Sequence, residues 1–491
     1  MSRARVPFAA LLASLVAGCG AHAMVAPLDY GPPRLAREVA FRAAPPDAAP
    51  VIPRVPVALR EARLPSGLRV IHVERRALPV ITVRLVLDRG VVDLGGDEDA
   101  YAILRRLVDG GTEERKGPDL ADAWAKLGAA HGVAFGADGA ALWAKVESSD
   151  LDAAVALLAE MATRPRLVER SVAGARAAWI GDVMNGRFAV GPTFARNTAA
   201  LLFGAHHPYG YLRRDPRQTE ALGPADFTAL HARLFRPEHA TLIVVGDASA
   251  EAVDAVAARH LGAWTTRGAP LPRVGAPPPP IEGPRVVHCA NENLDETNVQ
   301  IVARGPAPGD PDLLVLELCA RALGGLSSRL RGDMREERSV AYAFGADVSR
   351  MRLASTLHLG GSLAAARALP ALRAMLDALD EAGDKGLAEA EIDRARTSLI
   401  SAWRSTVSTS DGLAAALAGQ VITGQPIAEI AAVPERLGAI TSDDVRRVAR
   451  RYLGRDARRL VVLGHRSLGG DLAALGLGPV VRRDNWASVV R

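Results

Sequence analysis

Eleven histidines and three cysteines are the side chains of this 491-residue chain best suited to bind a metal or attack a carbonyl. A hydrolytic zinc site commonly needs two histidines four apart on one helix face, with a glutamate beside them. No H-x-x-E-H occurs, because the histidines do not fall at that spacing. The adjacent pair His206-His207 cannot present both rings to one metal from a helix, so it reads as a loop or surface pair. There is no G-x-S-x-G elbow, no G-x-x-x-x-G-K phosphate loop and no C-x-x-C pair. Gly324-Gly325 lacks a phosphate-loop lysine and reads as a turn between helices.

The composition narrows the classes further. An apolar share of 49% builds a sizeable core and excludes wholesale disorder. Aromatics at 4% argue against a stacking platform for single-stranded nucleic acid. The net charge of +5 falls to about +3 without residues 1–18, which carry Arg3 and Arg5 and no acid. With no long basic run, nucleic acid is not an expected partner. Val6 to Ala17 is nearly all apolar and too short to span a membrane stably. It runs into Leu15-Val16-Ala17-Gly18-Cys19, which resembles the bacterial lipoprotein signal. That resemblance implies cleavage before Cys19, a lipid on Cys19 and a periplasm-facing anchor, with Gly20 resembling outer-membrane sorting. An ordinary signal peptide is the alternative. Cys289 and Cys319 sit in apolar segments and read as buried thiols, with one disulfide as the alternative.

The elements that must carry any chemistry fall into two similar halves. Residues 1–18 read as the signal and the proline-rich 19–60 as a tether. Residues 61–268 form a first domain, 269–284 a polyproline-like semi-rigid linker and 285–491 a second domain. Arg69-Val70-Ile71-His72-Val73 matches Arg285-Val286-Val287-His288-Cys289, and Thr241–Gly246 matches Arg459–Gly464 at nearly the same offset. Alternating apolar residues predict strands over Leu68–Glu74, Val80–Asp88 and Ala140–Val146. Helical spacing marks Leu120–Ala130, Leu151–Ala162 (Asp150 as its N-cap), Leu167–Val183, Ala364–Leu379, Glu389–Arg404 and Ser442–Tyr452. Strands followed by helices predict an α+β fold: two homologous domains, each a mostly antiparallel sheet with helices packed on one face.

Four segments carry a family resemblance. They are Leu64-Pro65-Ser66-Gly67-Leu68-Arg69-Val70; His207-Pro208-Tyr209-Gly210; Phe235-Arg236-Pro237-Glu238-His239-Ala240 running into Val244-Val245-Gly246-Asp247; and Ser327-Ser328-Arg329-Leu330 through Arg335-Glu336 to Ala341-Tyr342. In order and spacing they resemble the pitrilysin (insulinase-like) zinc peptidases. Active members carry H-x-x-E-H on a helix ahead of a Gly-Thr pair, matched here by Gly111-Thr112. By that alignment the histidine positions are Ala102 and Arg106, and the glutamate position is Arg105. The downstream glutamate ligand falls near Gly181 or Asp182. Alanine has no lone pair and arginine stays protonated, so no metal is expected in this chain. Arg105 and Arg106 are expected to be solvated or paired with Asp109, Glu113 or Glu114; binding an acidic group is the alternative.

The resemblance also implies what is kept. The family's second domain supplies an arginine and a tyrosine seven positions apart, matched by Arg335 and Tyr342. In the family the tyrosine donates to the oxyanion and the arginine steadies substrate. Some bacterial members divide zinc and the Arg/Tyr pair between two chains that enclose a peptide. This chain resembles the second kind: a zinc-less subunit, not active alone, whose partner carries H-x-x-E-H and the zinc. A peptide-binding or scaffold protein of the cell envelope is the alternative.

Overall fold

The computed structural model describes residues 57–490 apart from 96–97, 187–188, 205, 211–215, 267, 293, 326–327, 333, 335–340, 486–487 and 489. The signal, Cys19 and most of the tether lie outside the described residues.

The first half contains β1 (Arg60–Arg63), β2 (Arg69–Glu74), β3 (Val80–Leu87), α1 (Glu98–Asp109), α2 (Gly117–Lys126), β4 (Ala130–Phe135) and β5 (Ala140–Glu147). It continues with α3 (Leu151–Thr163), α4 (Glu169–Gly186), α5 (Val190–Phe203), α6 (Pro224–Leu234), β6 (Ala240–Gly246) and α7 (Ala250–Leu261). The second half contains β7 (Val286–Ala290), β8 (Glu296–Gly305), α8 (Asp312–Gly324), β9 (Ala341–Arg350), β10 (Ser355–Ala364), α9 (Ala368–Asp384) and α10 (Glu389–Ser408). It ends with α11 (Ser410–Thr423), α12 (Val433–Gly438), α13 (Ser442–Leu453), β11 (Arg458–Gly464), α14 (Leu468–Ala473) and β12 (Val480–Arg482).

Each half builds one six-stranded sheet, ordered β1-β2-β6-β3-β5-β4 and β12-β7-β11-β8-β10-β9. In both, the second and third strands run parallel and the next three pairings are antiparallel. The segments that match between the halves are direct neighbours. Arg69 pairs with Thr241 in the first sheet, and Val286 with Leu460 in the second. All seven residues of β6 and of β11 are buried, as strands covered on both faces must be. The turn Leu64–Leu68 that feeds β2 needs Gly67 at φ +94°. Gly246 ends β6 where a Cβ would meet the Val80 carbonyl oxygen at 2.3 Å.

Helices of each half cover one face of its own sheet. In the first core Ile103, Leu104, Trp124, Leu158 and Phe227 meet Leu85, Leu142 and Leu242. In the second, Leu316, Leu372, Met375 and Val448 meet Ile301, Leu357 and Val462. The other face of each sheet is covered by a helix from the opposite half. Leu413, Leu417 and Val421 of α11 lie on Ile71, Ile243 and Val245. Leu201 of α5, with Val190 and Phe194, lies on Val287, Cys289 and Val461. Each fully buried aliphatic side chain contributes about 1.5–3 kcal/mol, so this exchange is a main bond between the halves. Thr409 caps α11 by accepting from the Gly412 amide, and Gly424 ends it at φ +74°.

Some local expectations shift. The helix expected through Ala130 stops at Lys126, a left-handed Gly128 (φ +56°) turns the chain, and Ala130 opens β4. Ala364 ends β10, and α9 begins at Ala368. Asp150 precedes α3, but its carboxylate makes no cap, being held in a 3₁₀ turn. Residues 269–284 have no regular structure and are strapped down rather than spanning open space. Leu271 is buried in the first core, the Arg273 guanidinium donates to the Ile422 carbonyl at 2.7 Å, and Arg304 donates to the Pro279 carbonyl at 2.6 Å. Cys289 and Cys319 are free, buried thiols, and burial pushes each up to about 12. No helix among the described residues is long and apolar enough to cross a membrane.

Candidate functional site

Helix α1 places the residues at the metal positions. Its inner face buries Tyr101, Ile103, Leu104, Leu107 and Val108, so 3.6-residue periodicity puts Ala102, Arg106 and Asp109 on the opposite side and Arg105 on the flank, one turn from Tyr101. Arg106 donates to the Asp182 carboxylate on α4, and its guanidinium lies 6.0 Å from the Trp179 ring centroid. By the resemblance, Arg106 stands at a histidine position and Asp182 near the downstream glutamate position, and these two residues form an ion pair. The expected partners Asp109, Glu113 and Glu114 do not hold Arg106. Asp109 stands at the exposed end of α1, and Glu114 pairs with Arg164 at 2.6 Å and with Arg115 at 3.6 Å. The site does not fit zinc. Its alignment positions offer one carboxylate, already bonded, and two guanidiniums. At contact range each repels a dication by several kcal/mol even at an effective dielectric of about 20. Ala102 and Arg105 are half-buried, and Arg105 makes no hydrogen bond or ion pair among the described residues.

Beside α1 runs β4, the outermost strand of the first sheet. Tyr101 fixes the helix to the β4–β5 turn. Its hydroxyl lies 3.1 Å from the Gly136 carbonyl and 3.2 Å from that of Gly139, and its ring sits 4.8 Å from that of Phe135. Burial, with Asp93 and Asp138 nearby, holds its phenol well above the usual range. One edge of β4 pairs with β5; the other has no strand beside it among the described residues.

In the second half, Ser327 and Arg335 lie outside the described residues. Tyr342 is described through its main chain, in the outermost strand β9. Ala343 pairs with Ser362 and Ala341 with Leu363, so Tyr342 falls at an irregularity in the β9–β10 ladder.

A polar junction between the halves went unread in the sequence. Asp93, Asp138 and Arg352 are each more than nine-tenths buried. Arg352 grips Asp93 through both terminal nitrogens, at 2.6 and 3.1 Å, while Asp93 also accepts from the Val274 amide of the linker at 2.8 Å. Tyr209, from the H-P-Y-G segment, donates to Asp138 at 2.5 Å and accepts from the Leu353 amide at 3.1 Å. Burial and the Asp138 charge raise its phenol. His206 and His207 lie in a turn, as expected of a loop pair, with His206 exposed and His207 buried. The His207 Nδ1 accepts from the Tyr209 amide at 3.1 Å, and burial lowers its basicity. The signal available in the sequence was H-P-Y-G itself; its partners are 71 to 144 residues away.

A mainly apolar cavity of about 540 Å³ lies apart from α1, between α10 and α11, lined by Leu399, Trp403, Ile422 and Ile430 with Glu317 and Arg350 on its wall. The Glu317–Arg350 pair is bidentate at 2.5 and 2.6 Å.

Residues 221–399 match the family model described as the peptidase M16 inactive domain. This stretch belongs to the peptidase M16 inactive-domain family. The M16 likeness extends beyond it. An uncharacterized zinc protease of Mycobacterium bovis is 25% identical over 439 residues, covering 88% of this chain and 99% of the relative. The crystal structure of a peptidase M16 inactive domain from Pseudomonas fluorescens aligns with TM-score 0.76 at 20% identity, over 83% of this chain and 98% of that one. The periplasmic protease PqqL from Escherichia coli aligns with TM-score 0.71 at 18% identity, over 94% of this chain but 51% of that chain. These likenesses show that the two α+β domains described above have the fold of M16-type peptidase structures.

Proposed function

We propose that this chain is the zinc-less subunit of a two-chain M16-type metallopeptidase of the bacterial envelope. Peptide lies against it as an added strand, and Arg335 and Tyr342 serve a zinc site held by an H-x-x-E-H partner. The Tyr342 hydroxyl donates to the oxyanion developing at the substrate carbonyl, and the Arg335 guanidinium steadies the peptide. The observation that carries this reading is the Arg106–Asp182 ion pair, at and near the positions that the resemblance assigns to metal ligands, in a chain with an M16-like fold. The chain's match to half the length of PqqL supports it, since a chain of that size leaves room for a second. The lipid on Cys19 and the envelope location rest on the N-terminal motif.

The test is reconstitution. The lone chain is expected to bind no stoichiometric zinc and to cleave no peptide. Activity is expected on mixing with the H-x-x-E-H chain that co-purifies from membranes. In that mixture Tyr342→Phe is expected to lower kcat about ten-fold or more. An unchanged kcat refutes the role of Tyr342. Failure of any zinc-bearing partner to co-purify moves the reading to a peptide-binding or scaffold protein.

A further inference from the structure

Arg105 occupies a position whose surroundings specify a ligand. Tyr101 and Arg105 are one helical turn apart, on the same side of α1. The Tyr101 ring packs on Phe135 of β4, which sets that side of the helix alongside the outermost strand. The neighbouring cation, Arg106, is already bonded to Asp182, and Arg115 and Arg164 are neutralised by Glu160 and Glu114. Arg105 has no acidic partner among the described residues and is half-buried. A guanidinium carries five donors in a planar fork that matches a carboxylate. The free edge of β4 offers main-chain donors and acceptors of the kind that take up an extended segment.

We propose that Arg105 is a carboxylate-binding residue, which captures the acidic group of a peptide strand added to the edge of β4. The chemistry is a carboxylate presented beside an extended backbone, either a peptide's own C-terminus or an Asp or Glu side chain. This rests on the reading that peptide lies along this edge. It adds a preference for acid at the position where an M16 peptidase with a complete site would place its catalytic glutamate.

The test uses the full chain without a partner, so it is independent of cleavage. Three fluorescein-labelled octapeptides of alternating valine and threonine are titrated by anisotropy: one with a free C-terminus, one amidated with a central glutamate, and one amidated with glutamine there. One or both acid-bearing peptides are expected to bind about ten-fold tighter than the glutamine peptide, as a charge-assisted hydrogen-bond pair provides. Which one does so identifies the carboxylate source. Arg105→Ala is expected to remove the difference while leaving the glutamine peptide's affinity unchanged, and Arg105→Lys to restore part of it. Equal binding of all three peptides, a preference that survives Arg105→Ala, or no binding of any peptide at 1 mM each overturns the proposal. Loss of activity in the reconstituted pair with intact acid preference would instead count against the proposed function alone.

Discussion

Helices α1 and α8 hold equivalent places in the two halves, each lying beside the outermost strand of its sheet, yet they are built for different tasks. Eleven of the thirteen residues of α8 are buried, including Leu316, Leu318 and Cys319, so it is core throughout. Only six of twelve are buried in α1, and its open side presents Ala102, Arg105 and Arg106. Duplicated scaffolds with the same strand order need the same apolar contacts. They do not need the same polar face. What survives on α1 beyond the requirements of packing is therefore the part to interrogate for function.

The contrast can be broken most sharply at the junction that makes the halves one body. Arg352→Met is expected to lower unfolding free energy by about 3–5 kcal/mol, because it strands Asp93 as a buried charge. Urea titration followed by tryptophan fluorescence measures this. A loss below about 1 kcal/mol would mean that the halves are held by their apolar exchange alone. Next comes pH. Burial pushes His231 down to about 4, with its Nε2 2.8 Å from the Ala162 carbonyl, and lowers His72, His207, His239 and His288 as well. These rings stay neutral in the native chain while the unfolded chain takes up protons below about 6.5. Stability is therefore fully present above that pH and falls as pH drops toward about 4. His231→Phe is expected to flatten the slope, by up to about 3 kcal/mol across the window. An unaltered slope in the variant would remove His231 from the account. The smallest effects compare the two helices directly. Asp182→Ala is expected to cost under about 1 kcal/mol, since that carboxylate is 64% exposed. Glu317→Ala on α8 is expected to cost more, because Glu317 is 16% exposed and bonded twice by Arg350. Thermal unfolding of the two variants ranks them; a larger loss for Asp182→Ala would reverse the division of labour.

Much of this was legible before any coordinates. The strands of β2, β3 and β5 announce themselves because alternation and β-branched side chains are local properties. The duplication shows because the paired strands β2 and β6, and β7 and β11, keep similar apolar runs. The placing of Ala102, Arg105 and Arg106 at the metal positions is an expectation that rests on the order of the family-like motifs in the sequence. The pairing of Arg106 with Asp182 was not legible there, since 76 residues separate them and nearer acids were equally plausible by charge. Helices α5 and α11 escaped notice for a different reason. The buried face of α5 carries Thr193, Asn197 and Thr198, and α11 carries alanine and Ile422 outside its buried stripe of Leu413, Leu417 and Val421, so neither shows a clean apolar period. The Asp93–Arg352 contact spans 259 residues, and neither residue carries a motif.

The exchange of α5 and α11 has a consequence for what counts as a unit here. Severed at the proline-rich strap, neither portion would keep a lid on the outer side of its sheet. Ile71, Ile243 and Val245 in one, and Val287 and Val461 in the other, would be bared to water together. The repeat is visible as two, but it can be inherited, expressed and kept soluble only as one.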